Sequence, residues 1–168
     1  MRVALVSDTH LPAEGSLPGW IEAELRAADH VVHAGDFITP RAHFELRVLA
    51  GGGMTAVRGN RDRGIELPSV ATVECDGVRF VVTHGDGYGR GERYRRALAD
   101  LARERDADVV VAGNTHLALD TRYDGVRLLN PGSATGAPPA DGPTLMTVDC
   151  SAGEATVTRH EEGLDERS

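Results

Sequence analysis

The chain has 168 residues, of which 40% are hydrophobic, 26% charged and only 4% aromatic, with a net charge of −8. These figures describe one globular domain, expected over 1–160, that buries about 70% of the surface its unfolded form exposes. They exclude a disulfide scaffold, because Cys75 and Cys150 are the only cysteines, and a membrane span, because no run of about 18 apolar residues occurs. The N-terminal MRVALVSDTH carries no secretory pattern and the thiols lack metal-finger spacing, which points to a reducing, cytoplasmic setting. All eighteen basic residues are arginine, and the acidic excess argues against nucleic acid as a partner. Oligomeric state is not legible.

Along the chain, strand-like and helix-like patterns alternate, the signature of a layered α/β domain. Arg2 to Val6 is an apolar strand ending in Ser7-Asp8-Thr9-His10, after which Leu17, Ile21, Leu25 and Ala28 recur at helical spacing. His30 to Ala34 is a second strand and ends in Gly35-Asp36. Thr39-Pro40 then offers a hydroxyl cap followed by proline at the first helical position, opening a helix to about Ala50. Met54 to Arg58 is a third strand, closing on Gly59-Asn60-Arg61-Asp62. Val70 to Glu74 and Val78 to Thr83 flank the turn Asp76-Gly77 as a hairpin, and its second arm delivers His84-Gly85. Arg90 to Asp106 is an amphipathic helix, and Asp108 to Ala112 is a strand ending in Gly113-Asn114-Thr115-His116. Short strands follow at Leu119–Tyr123, Val126–Asn130, Leu145–Cys150 and Ala155–Arg159, and residues 161–168 read as a frayed tail.

Five strands thus end in loops that carry Asp, His or Asn beside Gly or Ser. Ligands of open α/β sheets bind outside the carboxyl ends of the strands, so these loops can converge on one pocket. Asp8, His10, Asp36, Asn60, His84, Asn114 and His116 offer oxygen and nitrogen donors and no thiolate. That set suits Mn, Fe, Zn or Ni, and it holds more donors than one first-row ion can use.

The ordered motifs Asp8-x-His10, Gly35-Asp36, Gly59-Asn60, His84 and Gly113-x-x-His116 resemble the calcineurin-like metallophosphoesterase superfamily over essentially the full length. Thr83-His84-Gly85 and Asn130-Pro131-Gly132-Ser133 are most similar to its YfcE-type phosphodiesterase branch. The resemblance implies a four-layer α/β/β/α sandwich, its first sheet built by the strand-helix alternation and its second by the C-terminal strands. It implies two divalent ions, Mn foremost. Asp8, His10, Asp36 and His116 would hold one, and a bridging Asp36 with Asn60 and His84 the other. It also implies hydrolysis of a small phosphoester by a hydroxide held between ions about 3.5–4 Å apart.

Two positions depart from the pattern. Asn114 stands where the family has histidine, so the second ion gains at best an amide oxygen. Arg61 replaces the residue after the Gly-Asn pair that is histidine or cysteine in the family. An arginine cannot protonate a leaving group but can stabilise a charged phosphoryl group. The expected activity is therefore a phosphodiesterase that favours good leaving groups, with Asn60 and Arg61 holding the phosphoryl group and Asp62 orienting their loop. A phosphomonoesterase and a catalytically weak binding or scaffold protein of the same fold, like the retromer subunit, are the alternatives.

Blander readings apply elsewhere. His33 is expected to be buried beside the site. His30, His43 and His160 read as surface residues. The arginine-rich helix, with Glu92 four residues before Arg96, reads as a salt-bridged solvated face rather than a phosphate-binding one. The glycines at 85, 87, 89 and 91 do not satisfy a dinucleotide fingerprint.

Overall fold

Each strand begins where the sequence turns to β-branched and other apolar residues and stops at a polar loop. The computed structural model describes residues 1–11 and 15–162. In chain order the elements are β1 (Arg2–Val6), α1 (Gly19–Ala27), β2 (His30–His33), α2 (Pro40–Leu49), β3 (Met54–Ala56), β4 (Val70–Cys75), β5 (Val78–Thr83), α3 (Gly91–Glu104), β6 (Val109–Val111), β7 (Leu119–Tyr123), β8 (Val126–Asn130), β9 (Thr144–Ser151) and β10 (Glu154–Glu161). The cap expected for α2 is present: Thr39 Oγ1 accepts the Ala42 N–H at 3.2 Å, with Pro40 opening the helix. Glu161 still belongs to β10, and the rest of the expected tail falls largely on residues outside those described.

The strands form two five-stranded sheets, ordered β10-β9-β1-β2-β3 and β4-β5-β6-β8-β7. In the first, β1, β2 and β3 run parallel and β9 pairs antiparallel with β1, Met146 facing Leu5. In the second, β5, β6 and β8 run parallel, with β4 and β7 antiparallel at the edges. This corrects the expectation that the C-terminal strands build the second sheet, because β9 and β10 return to complete the first. The burial of β9 gives the reason. Thr144 to Val148 are buried without interruption, so both faces of the strand need cover, and a place inside a sheet beside β1 supplies it. The partly exposed, alternating β10 then takes the edge.

Three apolar layers hold four structural layers together, as the α/β/β/α reading requires. Val3, Leu5, Val32, Phe80, Val82, Val111, Met146 and Val148 lie between the sheets. Ile21, Leu25, Ala42 and Leu46 fasten α1 and α2 to the first sheet, and Tyr94, Leu98, Leu101 and Ala102 fasten α3 to the second. Full burial of each Leu or Ile side chain contributes roughly 1.5–3 kcal/mol. Cys75 and Cys150 are buried free thiols.

The three histidines read as surface residues are half-buried instead. His30 Nε2 meets Thr55 Oγ1 at 2.8 Å, His160 Nε2 meets Thr147 Oγ1 at 2.9 Å, and His43 packs edge-on against Phe37. Among the described residues no helix is long and apolar enough to cross a membrane.

Candidate metal centre

The parallel strands β1, β2, β3, β5 and β6 deliver their C-terminal loops to one end of the two packed sheets. Asp8 and His10 follow β1, Asp36 follows β2, Asn60 follows β3, His84 follows β5, and Asn114 and His116 follow β6. Asp8, His10, Asp36 and His116 place one ligand atom each within 4.8 Å of one another. Asp36 Oδ2 lies 3.2 Å from His10 Nε2 and 3.4 Å from His84 Nε2, so one carboxylate oxygen serves both groups of donors. Asn60 Oδ1 sits 3.0 Å from His84 Nε2.

The backbone departs from ordinary strand and helix conformations at these residues. Asp8, His10, Asp36, Asn114 and His116 all have positive φ, between 39° and 72°. Such a conformation is uncommon for residues with a Cβ and costs on the order of 1–3 kcal/mol each, so its concentration in one donor set marks a site that the surrounding fold holds in place. Two glycines make room for the carboxylates. A Cβ at Gly59 would collide with the carboxylate and amide nitrogen of Asp36, and one at Gly113 with Ser7 Oγ and the Asp8 carboxylate.

Hydrogen bonds fix the tautomers. Ala34 O and Pro138 O can only accept, so His84 Nδ1 and His116 Nδ1 must donate to them, at 2.7 and 2.8 Å. Both rings then turn an Nε2 lone pair toward the carboxylates. His84 Nε2 consequently faces Asn60 Oδ1, Asp36 Oδ2 and, at 3.8 Å, Asp8 Oδ1, none of which is a donor. Asp8 Oδ2 accepts from Ser7 Oγ at 2.7 Å and from the Asn114 N–H at 3.0 Å. Asp8 Oδ1 is buried and receives no well-directed hydrogen bond, although His116, His10 and His84 Nε2 stand 3.3, 3.6 and 3.8 Å away. Converging lone pairs with no donor between them require a cation: a proton on the imidazoles, or a divalent ion coordinated by the same atoms. The donor set fits the latter.

Proton affinities follow the same geometry. His10 rises to about 9, chiefly through Asp36 and then Asp8. For His84 burial pulls down, but Asp36 and Asp8 outweigh it and lift it to about 9. His116 is raised by Asp8. Burial opposes ionisation of Asp8, yet the His10 and His116 rings facing it bring its carboxyl to about 2, and Asp36 is lowered against burial by His10 and His84.

Asp62 lies behind the centre. Its buried carboxylate accepts the Asp36 N–H at 3.0 Å, the Ile38 N–H at 2.9 Å and the Gly59 N–H at 2.8 Å, tying the loops after β2 and β3 together. Through these bonds it orients the loop that carries Asn60 and Arg61, as the sequence led us to expect. Arg61 donates its backbone N–H to Asp36 Oδ1 at 2.9 Å while its side chain stays exposed. Asn114 reaches the centre through its backbone, and its side chain forms no hydrogen bond among the described residues. His33 is buried as expected. It accepts the Gly35 N–H on Nδ1 at 3.0 Å, which leaves Nε2–H for Thr9 Oγ1 at 3.3 Å, and burial lowers it to about 3.

Sequence reasoning missed several supports. Ser133 Oγ donates to Asp8 O at 2.7 Å, and Thr135 Oγ1 to Thr9 O at 2.8 Å. Asn130 Nδ2 donates to Gly113 O at 3.1 Å and Thr115 Oγ1 at 3.0 Å, while Tyr94 OH donates to Gly113 O at 2.9 Å. The polar Asn130-Pro131-Gly132-Ser133 segment after an apolar strand was the available signal.

Comparison with known proteins agrees with this geometry. Residues 1–153 match the calcineurin-like phosphoesterase superfamily domain. A probable metallophosphoesterase from Methanothermobacter thermautotrophicus is 35% identical over 151 residues, covering 88% of this chain and 85% of that one. One from Methanocaldococcus jannaschii is 34% identical, covering 80% and 69%. Among solved structures, a Vps29 single mutant from Entamoeba histolytica is similar with a TM-score of 0.79 at 25% identity, covering 96% of this chain and 99% of that one. A novel archaeal phosphodiesterase shares the fold at TM-score 0.70 and 22% identity, covering 95% and 100%. The chain belongs to the calcineurin-like phosphoesterase superfamily.

Proposed function

We propose that the protein is a divalent-metal-dependent phosphodiesterase. The observation that carries this reading is the buried, unpartnered Asp8 Oδ1 with three imidazole Nε2 atoms 3.3–3.8 Å away, two of them fixed as lone-pair donors by backbone carbonyls. Asp8, His10, Asp36 and His116 would hold one ion, and Asp36, Asn60 and His84 a second, for which Mn(II) is the first candidate. Divalent ions at such a site lower the pKa of water and offset charge on the phosphoryl oxygens.

The chain's own residues supply position and charge. Asp62 holds the Gly59 and Asp36 amides in register, and so sets where Asn60 and Arg61 stand. The exposed Arg61 guanidinium adds permanent positive charge for a phosphoryl oxygen. The histidines at the centre face carboxylates, which leaves no free imidazole to protonate a departing alkoxide, and this favours substrates with good leaving groups. The free, buried thiols Cys75 and Cys150 support a cytoplasmic setting.

The test is hydrolysis of an activated aryl phosphodiester by purified protein loaded with Mn(II), compared with the matching aryl monoester. Diester turnover well above an Asp36→Ala control is expected, and equality with that control would overturn the reading. The departures at Arg61 and Asn114 favour a second reading, a binding protein with a weakened centre. It predicts no bound ion under saturating Mn(II), whereas the enzyme holds about two.

A further inference from the structure

The helix expected to be laced with salt bridges is not. Glu92 Oε1 accepts from Tyr123 OH at 3.3 Å instead of pairing with Arg96, and Arg103 is the one α3 arginine with an acidic partner among the described residues. Arg90, Arg93, Arg95 and Arg96 are exposed and form no side-chain hydrogen bond or ion pair among the described residues. The same holds for Arg58, Arg61 and Arg63 around the loop after β3. Seven free arginines therefore occupy two segments of a chain whose net charge is −8. The acids between 58 and 63 and between 84 and 96 are Asp62, Asp86 and Glu92, three against seven arginines, which leaves both segments net positive.

Both segments border the metal centre. Arg58, Arg61 and Arg63 bracket Asn60, which touches His84. In the other segment only five residues separate His84 from Arg90, and the start of α3 is tied to the loop after β6 by Tyr94 OH on Gly113 O. Arg90 thus stands at most about 20 Å of chain from His84, and the run from Arg90 to Arg96 extends the surface by about 9 Å along the helix. Half-buried Tyr88, in the connecting loop, packs against the apolar cluster beneath α3. Arginines in the first turn of a helix oppose its macrodipole, so helix stability does not explain their placement. Two such segments, each joined to a loop of the centre, offer more cationic groups than a single phosphoester can use.

We propose that these two arginine segments form a track for a single-stranded nucleic acid whose backbone phosphates pair with the guanidinium groups next to the metal centre. The proposal reverses the expectation drawn from net charge, because the local distribution and not the sum decides what the site attracts. It rests on the phosphodiesterase reading for what happens to the strand, but not for its binding. Arginine suits the role through its fork of donors and its stacking on bases.

The experiment measures anisotropy of a fluorescein-labelled single-stranded oligonucleotide with a cleavage-resistant phosphorothioate backbone. It uses the Mn(II)-loaded protein across a salt series, with aryl phosphodiester hydrolysis followed in parallel. For the wild type, binding is expected to weaken linearly with log salt, by about 0.7 per neutralised phosphate. Arg93→Gln/Arg96→Gln should bind about tenfold more weakly, with a salt slope shallower by about 1.4, while aryl diester turnover is unchanged. Oligonucleotide should also outcompete inorganic polyphosphate of equal charge. No binding at low salt, equal binding by the double variant, or stronger competition by polyphosphate would each overturn the proposal. Strand binding without aryl diester turnover would retain the track and refute the phosphodiesterase reading. Turnover without strand binding would do the reverse.

Discussion

His84 donates from Nδ1 to the carbonyl oxygen of Ala34 across 2.7 Å, a bond that joins the two sheets and decides which ring nitrogen faces Asp36. The Ala34 carbonyl belongs to the end of β2, whereas His84 follows β5. Replacing His84 by Ala removes both this tie and a donor. It is expected to leave the protein folded but lower its content of a second Mn(II) after dialysis by more than about 100-fold in affinity, a larger loss than outer-contact changes give. Elemental analysis of the dialysed variant checks it, and two retained ions would contradict it.

Asp62→Ala strands three amides at once, two of them buried. Each unsatisfied buried donor costs about 1–3 kcal/mol, so urea unfolding should show a loss of about 2 kcal/mol or more. Mn(II) affinity should fall about 10–100-fold because Asp36 and the Asn60 loop lose their common anchor. Unchanged metal affinity would confine Asp62 to stability alone.

Asn114→His should strengthen the second ion. Asn114 has a φ of 72° and already bonds Asp8 through its N–H, and histidine is among the residues that tolerate this region. The expected result is a rise in occupancy at limiting Mn(II), read by titration calorimetry. Identical isotherms would mean the side chain at this position points elsewhere.

The metal-free protein should respond to pH in a definite direction. The folded-state values of His10 and His84, both about 9, lie above the ordinary 6.5. Their protonated forms therefore contribute stability that is complete below about 6.5 and lost as pH rises through about 9. Asp8, at about 2, contributes stability that is present above about 4 and lost as pH falls through 2. Bound divalent ions replace the imidazole protons, so the rise in Tm on adding Mn(II) should grow from pH 6.5 to pH 9. A rise that shrinks over this range would contradict the assignment of these histidines as ligands.

Gly59→Ala brings a methyl group into the Asp36 carboxylate. Overpacking of this kind costs about 1–3 kcal/mol, and here the displaced atoms are the proposed ligands, so loss of Mn(II) affinity should exceed the loss of stability. Differential scanning calorimetry with and without Mn(II) separates the two.

Strand positions and the residues that end them were legible because apolar runs stopping at Asp, Asn or His carry both structural and chemical information. Asp8, His10, Asp36 and His116 could be gathered on that basis, and their coordinates converge. Strand pairing was harder to read, since β9 pairs with β1 from more than a hundred residues away. Its unbroken apolar run was the cue that it lies inside a sheet. The ion pairing of α3 was not legible at all. Glu92 and Arg96 have favourable spacing, but Tyr123 from β7 reaches the carboxylate first, and helical spacing knows nothing of a neighbouring strand. Nor could the positive φ values of the donors be foreseen, because they reflect loop closure across the whole fold.

Asp8, His10, Asp36 and Asn60 arise from one sheet and His84, Asn114 and His116 from the other, so neither half of the molecule owns the centre. A chain caught midway through folding, with only one sheet formed, would lack the constellation altogether. Ions held by these seven residues would act as a rivet between the halves, and any ligand that strips them would loosen the architecture along with the chemistry.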